Sequence, residues 1–544
     1  MTMETCSLVG FTFQCFQLNS TAPKFFGFSE FIAGLALMVL VWTTVDVRYK
    51  FRIATATLPL RGLSLFVTFS VGILALLTDL WRAKQGWVPS GPLFTPESWQ
   101  FWLGAAFLLT IFIWLWSAFI RPAKFNRLNA SRFVKTLEAS IMRGSPTELA
   151  IVADELSRSV VRIVQHATTS PSELSGADRL LLAMGSPKFC RATVEGAPGL
   201  INDLFREMSR QRKYHLCVEI FTKNIVTAAI DNKASFLYSE TDYYESGSEG
   251  ITRTVTSALC GDPKLVESIS TLLSPTYSRR TPWDIDQWRA YYRLVLEAFI
   301  SHVASNAPRR AAALHGARMR VTSIVDELND DLQLTQLKIH DDLYLRLTAL
   351  GDLIRDMVTV LDERMSAKLP IPQHATEDIV KLICSLIEDA SRVRKPRIVA
   401  RRIHHELIWS GILNSHELRT TIGQHIQQQV HGWLERTIHQ CPDLDSSRLL
   451  GYSLNVLGFY PVKEAQKYGM YWRSFHMRLL EWTKENIATL ITRFPGMEYD
   501  CFVEGMRYDA EHCRLVLEYP PDEKGEIHRD YLDVQLCQET TPPA

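Results

Sequence analysis

The sequence predicts an all-α membrane protein with three N-terminal transmembrane helices, a large helical cytoplasmic domain and a small C-terminal β-hairpin or meander. Apolar runs near the N-terminus are long enough to cross a bilayer, capped amphipathic patterns follow from about residue 130, and strand-like alternation is expected only in the tail. The expected domains are an external segment, the membrane helices, the helical body, and a β-rich cap with a tail. Their ranges are 1–24, 25–121, 122–497 and 498–544.

The composition narrows the class of protein. The 544 residues carry 59 basic and 59 acidic side chains, whereas a nucleic-acid coat protein or an acidic disordered tail shows a large net charge of one sign. Ten cysteines occur without a CxxC pair, which excludes a disulfide-dense scaffold and a zinc ribbon. We therefore expect mostly reduced, buried cysteines, no metal and no cofactor.

Three apolar runs supply the predicted spans, because a hydrocarbon layer requires ~20 helical residues. They cover about 25–45, 62–81 and 98–120. The third run has no charge; it begins near Trp99 and ends at Arg121, as interfacial aromatic and basic residues favour. Glu30 and Asp79 each lie near one end of their run. We interpret them as interfacial charges rather than as an ion or proton site.

Basic residues beside the spans predict the orientation. One side of the membrane receives nine of them: Arg48, Lys50, Arg52, Arg61, Arg121, Lys124, Arg127, Arg132 and Lys135. The other side receives Lys24, Arg82 and Lys84. We therefore expect a multi-pass protein of the cell inner membrane, with the N-terminus outside and residues from 121 onward in the cytoplasm.

The first 24 residues do not read as a cleavable signal peptide. No basic segment precedes their apolar stretch, and no small-residue cleavage site follows it. We expect this segment to remain attached, which leaves Cys6 and Cys15 in an oxidising compartment where they could pair.

The cytoplasmic body reads as helices separated by Pro, Gly and Ser signals. Ser145 with Glu148, and Ser170 with Glu173, each predict a capping box with proline at the first helical position. Further helices are predicted at about 197–230, 283–305, 308–336, 341–367, 374–394, 397–411, 415–440 and 462–492. Apolar residues spaced by three and four between 343 and 365 predict a core-facing helix, with an oligomerisation coil as the alternative.

The tail carries the only strand pattern that we recognised. Residues 501–508 and 513–519 flank a polar turn, and 531–536 would form a third strand. Since an isolated hairpin is marginally stable, we expect this sheet to cap the helical body.

No motif for catalysis is found. The chain lacks GxxxxGK[ST] and GxGxxG, and Gly247-Ser248-Glu249-Gly250 does not have the spacing of a nucleophile elbow. Six histidines lie between 404 and 439, but Trp409 and Thr420 stand where HExxH requires the second histidine. We assign no catalytic residue and no metal ligand.

Two segments resemble binding surfaces. The first, here called the basic cluster, would bind an anionic ligand, RNA or lipid, or form a solvated and internally paired face. It contains Arg392, Arg394, Lys395, Arg397, Arg401 and Arg402. The second lies in the tyrosine-rich stretch 236–247, which would form a partner surface or a structural loop. Its candidate residues are Tyr238, Glu240, Asp242, Tyr243 and Tyr244.

The architecture favours a device that links a cytoplasmic event to the membrane. In outline it resembles membrane effectors of bacterial anti-phage abortive-infection systems, and this resemblance implies a sensor-effector that assembles and perturbs the bilayer. The alternatives are a membrane-tethered scaffold that recruits a cytoplasmic partner, and an unrecognised membrane-bound hydrolase or nuclease. The expected partners are the lipid bilayer, a protein partner or further copies of the chain, and an anionic ligand or nucleic acid.

Overall fold

The fold is mostly helical, with a small three-stranded sheet near the C-terminus. The computed structural model describes residues 4–8, 11–17, 25–44, 46–85, 87–89, 96–168, 174–240, 254–277, 282–306, 311–330, 342–440, 444–460, 465–519 and 525–535. The chain divides into two compact units, unit 1 (Met1–Ala228) and unit 2 (Ala229–Ala544). Unit 1 thus joins the apolar helices to about a hundred residues of the predicted body.

Unit 1 also contains an antiparallel sheet, so the expectation that only the tail forms strands is wrong. Its strands are β1 (Glu4–Leu8), β2 (Phe11–Gln17) and β3 (Trp87–Pro89), in the order β1-β2-β3. The missed signal is the alternation of apolar and polar residues along β2. Cys6 lies opposite Phe13 and Cys15 lies opposite Glu4, so the two cysteines are not direct cross-strand partners.

The helices of unit 1 begin with the apolar ones. They are α1 (Phe28–Thr44), α2 (Val47–Ala54), α3 (Leu60–Gln85), α4 (Pro96–Leu115) with a π-helical extension (Trp116–Ile120), α5 (Ala130–Arg143), α6 (Pro146–Ser157), α7 (Val160–His166), α8 (Gly176–Met184), α9 (Pro187–Gly196), α10 (Gly199–Gln211) and α11 (Glu219–Asp231), which crosses the unit boundary. The helix predicted over 197–230 is interrupted because Arg212, at φ +55°, ends α10.

The predicted capping box at the start of α6 is confirmed. The Glu148 N–H donates to Ser145 Oγ at 3.2 Å, and the Ser145 N–H donates to Glu148 Oε2 at 2.8 Å. Residues 170–173 of the second predicted box lie outside the described residues. α8 instead begins with a capping box made by Ser175 and Asp178.

Unit 2 is a helical body. Its helices are α12 (Phe236–Ser239), α13 (Thr254–Cys260), α14 (Pro263–Ser268), α15 (Ile285–Ala304), α16 (Ala312–Asp330), α17 (Asp342–Ser366), α18 (Gln373–Ser391), α19 (Arg397–Arg401) continued by a π-helix (Arg402–Leu413), a 3₁₀ turn (Glu417–Arg419), α20 (Thr421–Gln440), α21 (Leu444–Leu457), α22 (Ala465–Arg493) and α23 (Met497–Cys501). In α17, Leu350, Ile354 and Leu361 are fully buried, as the core-facing interpretation of this apolar seam expects.

The C-terminal sheet consists of β4 (Met506–Asp509), β5 (Arg514–Glu518) and β6 (Arg529–Asp533), all antiparallel. The first strand begins later than predicted because Cys501 ends α23 and Gly505, at φ +91°, turns the chain into β4. Leu515, Leu517 and Leu532 are buried, so one face of the small sheet is covered.

Candidate functional site

The apolar helices α1, α3 and α4 pack around a shared core. Its central residues are Phe31, Met38, Val71, Leu103 and Phe107. Away from this core, large apolar side chains face outward; Phe66 and Phe69 are each 70% exposed and Leu108 is 66% exposed. An apolar surface of this kind is typical of a protein face that contacts lipid or a partner rather than water.

Two helices in the described part of the chain are long and apolar enough to cross a membrane, namely Leu60–Leu80 and Ser98–Ile120. Only 22% of the apolar window in the second is buried within the structure, whereas a core helix of a soluble protein is mostly covered. α1 has 17 residues and a length of about 26 Å at 1.5 Å per residue. Two of the three predicted spans thus have the length and composition of a membrane helix, and the prediction of three spans is not confirmed.

Glycines allow aromatic rings to approach the helix backbones closely. A Cβ added to Gly34 would lie 2.6 Å from the Phe107 ring, and one added to Gly72 would lie 2.7 Å from the Phe31 ring. Small residues at such contacts are the usual way in which apolar helices pack in lipid.

The two carboxylates in the apolar runs are caps for α1. Glu30 Oε2 accepts the Gly27 N–H at 2.9 Å, and Asp79 Oδ2 accepts the Phe28 N–H at 2.9 Å. Asp79 thereby ties the end of α3 to the beginning of α1. Both groups satisfy backbone donors at a helix N-terminus.

The same end of the bundle is fastened by two further polar contacts. Gln100 Oε1 in α4 accepts the Phe25 N–H at 3.0 Å, and Trp99 Nε1 donates to Thr78 Oγ1 at 3.0 Å. The N-termini of α1 and α4 therefore lie beside the C-terminal part of α3. Consequently α3 runs antiparallel to the other two helices, and Leu60 and Ile120 lie at the opposite end.

At that opposite end, a buried ion pair joins the bundle to α6. Arg52, in the short helix α2, donates from Nε to Glu155 Oε2 and from Nη2 to Glu155 Oε1, each at 2.7 Å. Its Nη1 donates to the Ala118 carbonyl at 2.9 Å, within the π-helical end of α4. Arg52 is 7% exposed and Glu155 is 5% exposed. We call this arrangement the joint.

Two further cations lie close to the Glu155 carboxylate at the joint. Arg48 Nε lies 3.4 Å from Glu155 Oε1, and Arg158 Nε lies 3.6 Å from the same oxygen. The hydrogen bond to Glu155 raises the pKa of Arg52 although burial opposes this shift. The Glu155 carboxylate thus lies within ion-pair distance of Arg48 and Arg52 on α2 and of Arg158 at the end of α6.

No local sequence pattern predicts the joint. The sequence predicts Arg48 and Arg52 only as charges that set the orientation, and Glu155 is not among the predicted site residues. Arg52 and Glu155 are separated by 103 positions, so no local pattern pairs them. The one available signal was a carboxylate on the apolar side of an otherwise regular amphipathic helix.

In unit 2, two of the six residues of the basic cluster hold the C-terminal segment. Arg394 donates to the Tyr499 carbonyl and lies 3.6 Å from Asp500. The Arg397 guanidinium lies 5.7 Å from the centre of the Tyr519 ring, and the Arg397 N–H donates to Glu504 Oε2 at 2.8 Å. Burial lowers the pKa of Arg397.

The remaining members of the basic cluster differ in their surroundings. Arg392 pairs with Asp389 at 3.3 Å within one helical turn. Lys395 and Arg401 are exposed and Arg402 is half-buried. These three form no ion pair with any residue that the structure describes, so they are the part of the cluster open to an anionic ligand.

The tyrosine-rich segment is built into unit 2 where it is described. Tyr238 Oη donates to the Ile230 carbonyl at 2.7 Å, and burial raises its pKa to about 12. Glu240 is buried; it accepts the N–H groups of Val255 and Thr256 at 2.8 and 3.0 Å. Glu240 therefore caps α13. The other candidates, Asp242, Tyr243 and Tyr244, lie outside the described residues.

A groove of about 840 Å³ lies between α18 and α20, with α16 at its side. Arg318, Lys381 and Arg436 reach it from three different helices, and the carboxylates of Glu377 and Glu388 on α18 line it as well. Trp433 supplies an aromatic wall, and a Cβ added to Gly432 would meet no atom within 4 Å. The volume falls within the range of small-molecule sites.

The histidines of the 404–439 region do not gather into a metal site. No group of three or more His, Cys, Asp or Glu side chains suited to a metal ion occurs among the described residues. His404 is buried; its Nε2 donates to the Ala390 carbonyl at 2.8 Å, and Asn455 Nδ2 donates to its Nδ1 at 3.2 Å. Burial lowers the pKa of His404 to about 4 and that of His431 to about 3.

Comparison with known proteins adds no assignment. No protein-family model matches the chain, and no curated protein sequence matches it. We therefore infer the function from the geometry described above.

Proposed function

We propose that the chain is a membrane-anchored sensor-effector, in which a cytoplasmic signal received by the body is transmitted to helices in the bilayer. The observation that carries this proposal is the joint: apolar helices with an outward apolar surface are fixed to α6 by a buried, bidentate ion pair. A flexible tether would suffice for simple anchoring, whereas a rigid contact can transmit displacement.

In this proposal α1, α3 and α4 all cross the bilayer. α1 lies within the length range of membrane helices, and it packs against the other two with its N-terminus fixed beside the end of α3 by Asp79. We propose that the nine basic residues at the Leu60 and Ile120 end face the cytoplasm, with the N-terminus outside the cell inner membrane.

The effector step would require several copies of the chain. Three spans per subunit are too few to enclose an aqueous path. Several subunits would therefore surround such a path, or would thin the bilayer together. A role as a membrane-perturbing effector in bacterial anti-phage defence follows from the resemblance in architecture. The signal would enter through the groove, since its three cations, two carboxylates and aromatic wall suit a small polar ligand with a flat ring.

Dye entry into cells tests the proposal. The full chain, expressed in a bacterial host with its genomic neighbours, is challenged with phage, and uptake of a membrane-impermeant dye is followed. We expect uptake with the wild type and with Asp154→Asn, which removes an exposed partner of Arg48. We expect it to be lost with Glu155→Gln at equal amounts of membrane-inserted protein.

Two controls separate the alternatives. If an unrelated three-span anchor restores full activity, the helices act only as a tether and the scaffold hypothesis replaces ours. If alkaline carbonate extracts the full chain from membranes, no helix spans the bilayer and the proposal fails at its first step.

A further inference from the structure

We infer that the cytoplasmic end of the helical bundle binds the headgroups of anionic phospholipids. This inference rests on the proposal that the helices span a membrane. The site, here called the basic collar, consists of exposed cations on α2, at the start of α3, after α4 and on α5. They are Lys50, Arg61, Arg121, Lys124, Arg127 and Lys135.

The charge of this region is entirely of one sign. Residues 47–61 and 121–137 contain nine Lys and Arg side chains and no carboxylate. Arg48 and Arg52 are neutralised by Asp154 and Glu155, and Arg132 donates to backbone carbonyls. The six cations of the basic collar have no ion-pair partner in the part of the chain that the structure describes. Exposed, unpaired cations gathered in one region create a positive potential that attracts anions.

The structure holds the two charged segments side by side. Asn129 Nδ2 donates to the Thr55 carbonyl at 3.1 Å, and Arg132 Nη1 donates to the Ala56 and Thr57 carbonyls at 2.6 and 2.8 Å. The turn before α3 and the segment after α4 are thus bonded to each other. Since both segments adjoin the same end of the bundle, their cations gather at one level of the molecule.

Two apolar side chains stand beside these charges. Leu58 is 56% exposed in the turn before α3, and Leu128 is 84% exposed in the segment bonded to that turn. Exposed leucines among cations suit the boundary between headgroups and acyl chains, where both kinds of group are satisfied.

The position of the basic collar selects phospholipids over soluble anions. Arg61 is the second residue of α3, and Arg121 directly follows the π-helical end of α4, so both lie at the edge of the apolar bundle. Cations at such a position attract the negative surface of the cytoplasmic leaflet. The surface is continuous with the proposed membrane-spanning face.

The test measures which lipids the full chain retains. The protein is purified in detergent with equimolar phosphatidylglycerol and phosphatidylcholine, and the bound lipids are counted by native mass spectrometry. The collar variant changes Arg61, Arg121, Lys124 and Arg127 to Gln. The control variant changes the same number of exposed cations elsewhere in unit 1: Arg162, Arg179, Arg191 and Arg206.

We expect the wild type and the control variant to favour phosphatidylglycerol, and the preference to fall by about fivefold for each cation removed at low salt. The collar variant, with four cations removed, should lose roughly 600-fold of this preference and keep only the part contributed by Lys50 and Lys135. An unchanged preference in the collar variant overturns the inference. Displacement of phosphatidylglycerol by millimolar glycerol 3-phosphate also overturns it, because the site would then bind soluble phosphate.

The inference and the membrane proposal can fail separately. A chain that resists carbonate extraction but shows no lipid preference refutes only the basic collar. A chain that carbonate extracts refutes the membrane proposal whatever lipids it retains. Leu58→Ser with Leu128→Ser should weaken retention of both lipids without changing their ratio, and a changed ratio would contradict the role given to the leucines.

Discussion

Replacing Glu155 by glutamine tests whether the joint holds α2 against α6. Glutamine keeps the size of the side chain but removes the charge that neutralises Arg52. Removing one partner of a buried pair costs about 3–5 kcal/mol, because the other charge remains buried without compensation. The 7% exposure of Arg52 and the 5% exposure of Glu155 place this pair in that class.

Hydrogen exchange measures this cost locally, which is preferable in a chain with two compact units because a single unfolding free energy is then poorly defined. A loss of about 3–5 kcal/mol corresponds to about 10²- to 10⁴-fold faster exchange, at 1.36 kcal/mol per decade. We expect this acceleration in the amides of Val47–Ala54 when the full chain is studied in detergent micelles.

Two variants make the result interpretable. Asp154→Asn breaks the exposed pair with Arg48, where the side chains are 35% and 52% exposed, and should cost at most about 1 kcal/mol. Arg52→Met combined with Glu155→Leu replaces the buried pair by apolar groups and should recover most of the protection. Equal exchange in Glu155→Gln and Asp154→Asn would refute the reasoning.

Three further predictions follow from single contacts. Gly72→Ala places a Cβ 2.7 Å from the Phe31 ring and should lower the free energy of unfolding by about 1–3 kcal/mol. Gly62→Ala, with no atom within 4 Å, should leave it unchanged or raise it by up to about 1 kcal/mol. Thermal unfolding in detergent compares the two variants, and equal midpoints would contradict the packing of the bundle. Burial lowers the pKa of His404 to about 4 from an ordinary value of 6.5, so the unfolded chain binds more protons than the native one between these pH values. The free energy of unfolding should therefore fall by about 1.4 kcal/mol per pH unit as the pH drops from 6.5 towards 4. Denaturant midpoints at several pH values should show a weaker acid dependence in His404→Gln, and an unchanged dependence would count against a buried neutral imidazole. Gly432→Trp should fill the groove and abolish phage-triggered dye entry at an unchanged unfolding temperature, and full dye entry would exclude the groove as the receiving site.

The elements themselves follow largely from the sequence. The apolar runs predicted α3 and α4, because each is an apolar stretch of about 20 residues, long enough for a continuous helix. The Ser145 capping box predicted the start of α6, because its hydrogen bonds join residues three positions apart. The alternation in the tail predicted β5 to within one residue at each end.

Very short strands and contacts between residues distant along the chain were not predicted from the sequence. In the N-terminal sheet, β2 does alternate apolar and polar residues, but its partner β3 has only three residues, too few to show a period. The basic cluster was treated as a single surface, yet Arg394 and Arg397 are held by residues more than a hundred positions later.

The sequence by itself determined where helices form, which segments are apolar and where positive charge accumulates, since these depend on local pattern and composition. Only the tertiary structure decided which charges are neutralised and which stay exposed. Arg52 and Arg61 look alike in the sequence, but packing buries Arg52 against Glu155 and leaves Arg61 at the bundle surface. The reason is physical: the energy of a charge depends on its solvation and its neighbours, and both are set by residues distant along the chain.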